Sequence, residues 1–167
     1  ELGFYDPLIE HIIKIIKEDF TFNNNHFIAL DAGCGEGYYS EKVMNNIPGM
    51  TSQIVGTDIS KYAVKNAAKK YKDNFYFVSS VFNLPVATEG IDLILSIFSP
   101  LQPEEFKRIL TKDGYVIVVS PGENHLKELA ELIYDNFREH ETNVIEKMIP
   151  SLEYQTTKKA TFNIHIT

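Results

Sequence analysis

Apolar residues fall at two spacings along this chain, and the alternation between them predicts its elements. In DPLIEHIIKIIKEDF the isoleucines recur at helical intervals, with Asp6 placed as the N-cap and Pro7 as the first helical residue. The asparagine run 23–25 breaks that helix. Short, nearly continuous apolar runs come next: FIALDA, QIVGTD, NFYFVS, GIDLILSIF and GYVIVVS. Runs of this kind suit strands buried on both faces of a parallel sheet. Helical stretches separate them: residues 38–46 stopped by IPG, KYAVKNAAKKY capped by Ser60, PEEFKRIL, and the amphipathic ENHLKELAELIYDNF. Strands alternating with helices predict an α/β fold, a doubly wound and mostly parallel sheet flanked by helices with right-handed crossovers. Near the end, ATFNIHIT alternates apolar and polar positions, as a half-exposed strand does, so the C-terminal strand region reads as incomplete.

Length changes this picture little. A chain of 167 residues forms one core, read here as a single unit: a helical lead-in segment at 1–26, a ligand-binding core at 27–137 and the C-terminal strand region at 138–167. No apolar run approaches the roughly 18 residues of a membrane span, and the first dozen residues lack the pattern of a signal peptide, so a cytoplasmic protein with no membrane partner is expected. One cysteine, Cys34, excludes an internal disulfide framework or a cysteine-rich zinc site within the chain. It reads as a small packing residue under a tight turn. The net charge of -7 repels nucleic acid, so any polynucleotide would have to be attracted locally. Lys65, Lys69, Lys70 and Lys72 form the main basic cluster, which a solvated helix face explains more simply than an RNA patch.

The candidate chemistry lies in DAGCGEG, residues 31–37. Glycines directly behind a parallel strand let backbone N–H groups approach a ligand at the carboxyl edge of the sheet. A dinucleotide fingerprint would need GxGxxG, but Tyr38 stands where its last glycine should be. What is present is DxGxGxG, which resembles the first motif of S-adenosylmethionine-dependent methyltransferases. That cofactor brings a sulfonium and an ammonium group and no phosphate, so an acidic residue such as Asp31 is useful near its amino acid end. Asp58 ends the next apolar run, where a carboxylate can accept both ribose hydroxyls. In the superfamily an aspartate after the third strand often contacts the adenine amino group; Ser80 holds that place here, and Val81 and Phe82 either pack on the adenine ring or belong to the core.

Longer strings narrow the resemblance. DAGCGEGYYS, GTDISKYAVKNAAKKY, FVSSVFNLPV and SPGENHLKELAELIY together are similar to the 23S ribosomal RNA (guanine-N1)-methyltransferase family, and FYDPL resembles its opening HYxPL segment. The resemblance implies a Rossmann-like class I methyltransferase fold, S-adenosyl-L-methionine as cofactor, S-adenosyl-L-homocysteine as product, and a hairpin loop of 23S ribosomal RNA as substrate. It admits a homodimer. It implies cofactor contacts by Tyr5, Asp31, Gly33, Cys34, Gly35, Glu36, Gly37, Tyr38, Asp58, Ile59, Ser80, Val81, Phe82, Ser96 and His125. Phe98 and Pro100, in IFSP, fall where related enzymes hold the target base, with a core residue as the other reading of Phe98. Methyl transfer from a sulfonium is an in-line displacement that needs no metal, and a base would take the guanine N1 proton. Glu123 and His125 are the candidates for that base. Two departures stand out: the family's four-cysteine N-terminal zinc module is missing, so zinc is expected only in such a module of a longer protein, and the family's last strand is missing too. A methyltransferase acting on a small metabolite is the alternative, since this fold serves many acceptors.

Overall fold

A five-stranded parallel sheet in the order β3-β2-β1-β4-β5 forms the centre of the computed structural model, which describes residues 5–21, 26–47 and 51–122. The described elements run α1 (Asp6–Asp19), β1 (His26–Ala32), α2 (Tyr38–Met44), β2 (Thr51–Asp58), α3 (Lys61–Lys70), β3 (Phe75–Val78), β4 (Ile91–Ile97), α4 (Pro103–Ile109) and β5 (Leu110–Val119). The doubly wound parallel architecture expected from the alternating pattern is therefore present. The expected helix after residue 122 and the ATFNIHIT strand lie outside the described residues, as do Glu123 and His125.

Side chains on the central strands alternate between two cores. Phe27 and Ala29 of β1 join Leu93, Leu95 and Ile97 of β4 under α1 and α2. Leu30 and Ala32 face the other way, with Ile94, against Phe106 and Ile109 of α4. Phe106 is completely buried, which contributes roughly 2–3 kcal/mol for a ring of its size. Burial on both faces is why these strands read as apolar runs.

Two local details differ from the sequence reading. Tyr5, not Asp6, precedes α1, and no side chain caps it. Pro7 has no N–H to offer a cap, and the Asp6 carboxylate instead accepts from Lys42 Nζ at 2.8 Å and from the Tyr38 hydroxyl at 3.3 Å, pinning α1 to α2. The last strand also starts earlier than GYVIVVS. Leu110 already pairs with Ile91, and the register then jumps so that Leu93 faces Tyr115, leaving residues 111–114 as a bulge. Ser60 does cap α3, accepting from Ala63 N.

The topology locates the site. From β1 the chain moves to β2 on one side, while β4 flanks β1 on the other, which makes the carboxyl end of β1 the switch point, where open α/β sheets form their ligand crevice.

Candidate cofactor and acceptor site

The glycine loop is shaped by its neighbours. Gly33 (φ +85°), Gly35 (φ +53°) and Gly37 (φ +76°) all adopt the left-handed conformation that side chains disfavour. Gly33 N and Cys34 N both donate to Thr57 O, at 2.9 and 2.8 Å, folding the loop over the end of β2. A Cβ on Gly33 would stand 2.4 Å from Ser99 Cβ, so that glycine is required by a close approach as well as by φ. A Cβ on Gly35 would meet nothing within 4 Å. The open side of the loop is therefore at Gly35.

One carboxylate stands at that opening and a second is buried behind the loop. Asp58 Oδ2 accepts Gly35 N at 2.9 Å and Oδ1 accepts Ser60 N at 2.8 Å. With one bond on each oxygen, the carboxylate keeps further lone pairs for a ligand's hydroxyls. Asp31 is buried at the end of β1, and burial pushes its carboxyl up to about 6, opposed by the nearby Ser40 hydroxyl and helped by the charge of Asp58. The sign of its effect on stability follows. The unfolded chain releases this proton near 3.8, so between about pH 4 and 6 the folded state holds more protons and stability falls as pH rises. Above pH 6 the ionised group costs roughly 3 kcal/mol. Asp31→Asn is accordingly expected to melt at a higher temperature than the wild type at pH 8, with the gap closing as the pH is lowered toward 4; a gap independent of pH would refute the assignment.

The remaining predicted contacts divide. Cys34 is buried, its Sγ donates to Gly35 O, and burial pushes its thiol up, which makes it a packing residue and not a nucleophile. Glu36 accepts from Asn66 Nδ2 at 2.9 Å, tying the loop to α3. The Tyr38 hydroxyl is engaged with Asp6 at the α1–α2 joint. Val81 lies in the core below the sheet, while Ile59 and Phe82 are exposed beyond the strand ends, at 77% and 59%. Ser80 is exposed and its Oγ accepts from Phe82 N. Ser96 is fully buried, its hydroxyl 2.8 Å from that of Ser99, so a direct cofactor contact, as the resemblance implied, would require this buried pair to open.

An aromatic group lies at the same edge of the sheet. Phe98 has φ +55°, rare for a side-chain-bearing residue, and its N–H donates to Val119 O at 2.9 Å. Its ring meets Tyr5 edge-on at 5.8 Å and Tyr39 at 6.4 Å, and Tyr5 meets Tyr39 at 5.9 Å. Pro100 is exposed beside them. Sequence reasoning found Tyr5 and Phe98 but missed Tyr39, although its place directly after the glycine motif was a signal. It also missed Ser99, which bonds Ala32 O and so rivets the loop after β4 to the end of β1. Tyr76 was missed as well: its ring fills the space that side chains at Gly56 and Gly37 would take. Nothing in the sequence marks either contact, because both are set by strand register.

A glycine loop flanked by Asp31 and Asp58 at the switch point of a parallel sheet is the arrangement of a class I, S-adenosylmethionine-dependent methyltransferase domain. Comparison with known proteins agrees: a methyltransferase-domain family profile matches residues 23–163, and the chain belongs to that family. It is 36% identical over 135 residues to YxjB of Bacillus subtilis (strain 168), provisionally named a 23S rRNA (guanine-N(1)-)-methyltransferase, covering 80% of this chain and 48% of that one. To the 23S rRNA (guanine(748)-N(1))-methyltransferase of Streptomyces fradiae it is 30% identical over 154 residues, covering 90% of this chain and 54% of that one. The chain thus spans about half the length of these relatives. Among solved structures, a geranyl diphosphate methyltransferase in complex with S-adenosylmethionine shares the fold with a TM-score of 0.62 at 12% identity, covering 86% of this chain and 62% of that one.

Proposed function

We propose that this protein transfers a methyl group from S-adenosyl-L-methionine to N1 of a guanine in 23S ribosomal RNA, in a hairpin loop. The observation that carries the reading is the glycine loop at the carboxyl edge of the sheet, open at Gly35 and held there by the Asp58 carboxylate, with the rings of Phe98, Tyr5 and Tyr39 in mutual contact at the same edge. The names of the relatives support the choice of acceptor.

When bound, the cofactor supplies an electrophilic methyl group. The chain's own residues hold it: Asp58 accepts the ribose hydroxyls, Asp31 faces the ammonium group, and Gly35 allows the backbone close approach. Ile59 and Phe82 offer apolar surface to the adenine, and Ser80 offers a hydroxyl where a carboxylate would bind more strongly. Phe98, with Tyr5 and Tyr39 behind it, offers a stacking surface to a base turned out of its loop, which is how single-stranded RNA is commonly read. Because Asp31 must be ionised to attract a cation, cofactor affinity falls as pH drops through about 6.

The deciding experiment incubates the protein with labelled S-adenosylmethionine and unmodified 23S RNA, then maps reverse-transcription stops. One new stop at a guanine, with label in the RNA, is expected. Label passing to a small-molecule extract but never to RNA would replace this reading with that of a metabolite methyltransferase.

A further inference from the structure

We infer that the outward face of α3 is an RNA-contacting surface that guides the substrate strand to the crevice; this rests on the ribosomal RNA reading above. Residues 61–72 carry five lysines and no carboxylate, in a chain with 23 acidic and 16 basic residues. Lys61, Tyr62, Lys65 and Lys69 fall within an arc of about 100° on the helix, and Lys72 follows just past its end. All five are exposed, on the side away from the buried Val64 and Ala67. Among the described residues none of these four lysines forms an ion pair, whereas Lys42 and Arg108 do. Their positive charge is left for a partner.

Two further features distinguish this face from one that is merely solvated. Tyr62 is 74% exposed in the middle of the lysines, so aromatic surface lies open where solvation alone would favour small polar groups. Lysines that track a backbone, interleaved with an aromatic ring on which a base stacks, are what single-stranded nucleic acid requires. The face also begins at the candidate cofactor pocket. Only Ile59 and Ser60 separate Asp58 from α3, and Asn66 of the helix bonds Glu36 of the glycine loop. With Tyr62 as its one exposed large hydrophobic side chain among the described residues, the face is too small to insert into a lipid surface.

The test uses the protein with unmodified 23S RNA transcript and compares the wild type with Lys65→Gln/Lys69→Gln and with Tyr62→Ala. The double variant is expected to raise KM for RNA about tenfold and to flatten the salt dependence of RNA binding by about 1.4–1.8 in log–log slope, the loss of two phosphate contacts. Tyr62→Ala is expected to weaken RNA binding about tenfold, the loss of one stacked base. Affinity for S-adenosylmethionine, measured by calorimetry, should change less than twofold in each. Wild-type methylation of RNA with unchanged KM and salt slope in the variants would overturn the surface and leave the function standing. Failure of the wild type to methylate RNA would overturn both. Loss in the variants of binding to phosphatidylglycerol vesicles, with RNA kinetics intact, would assign the face to a membrane instead.

Discussion

Gly33→Ala is expected to weaken S-adenosylmethionine binding by more than 100-fold and to lower the melting temperature. Two costs combine. The added methyl stands 2.4 Å from Ser99 Cβ, which cannot persist, so either the glycine loop or the loop after β4 must move. Movement breaks the Ser99 to Ala32 bond and the Ser96 to Ser99 contact that hold the loop after β4 to the end of β1. The φ of +85° adds about 1–2 kcal/mol of strain for a side-chain-bearing residue. Gly35→Ala is the informative control. Its Cβ meets nothing within 4 Å, so the fold should lose only the strain of φ +53°, yet the methyl would project into the open side of the loop and obstruct the cofactor. Thermal denaturation and calorimetry on the pair should therefore separate: both variants bind poorly, and only Gly33→Ala melts much earlier. Wild-type affinity in Gly33→Ala would mean that the loop does not line the pocket.

Asp58→Ala should be nearly as severe for binding. The carboxylate holds Gly35 N and Ser60 N, and in the proposed complex it also accepts two ribose hydroxyls. Hydrogen bonds to a charged group contribute roughly 1.5–3 kcal/mol each, so losing the two ribose bonds alone corresponds to a loss of more than 100-fold. Asp58→Asn keeps one acceptor oxygen and should fall between. Titration calorimetry with S-adenosylmethionine measures this directly, and an affinity equal to that of the wild type would remove the ribose assignment.

Much of this site could be read before any coordinates. The spacing of Asp31, Gly33, Gly35 and Gly37 behind FIALDA, with Asp58 closing the next strand, carried both the loop and its two carboxylates, because a parallel strand and its following turn are adjacent in sequence. Ser60 was legible for the same reason. Less legible was the capping of α1. Asp6 looked like a cap locally, but a lysine on another helix competed for its carboxylate. Ser96 looked like a cofactor contact by resemblance and proved to be buried against Ser99. Lys65 and Lys69 of α3 looked like ordinary solvated charge until the exposure of Tyr62 and, among the described residues, the lack of an ion-pair partner for either lysine set them apart.

What the sequence determined by itself was the rhythm of strands and helices and the chemistry of one loop, since both rest on residues within a few positions of each other. Only the tertiary structure decided the strand order and the partners meeting across it: Ser99 on Ala32, Tyr76 in the space above Gly56, and Phe98 among Tyr5 and Tyr39. Those pairs join residues far apart in the chain, and their meeting depends on which strands lie side by side and in what register, a choice made by the burial of both sheet faces together.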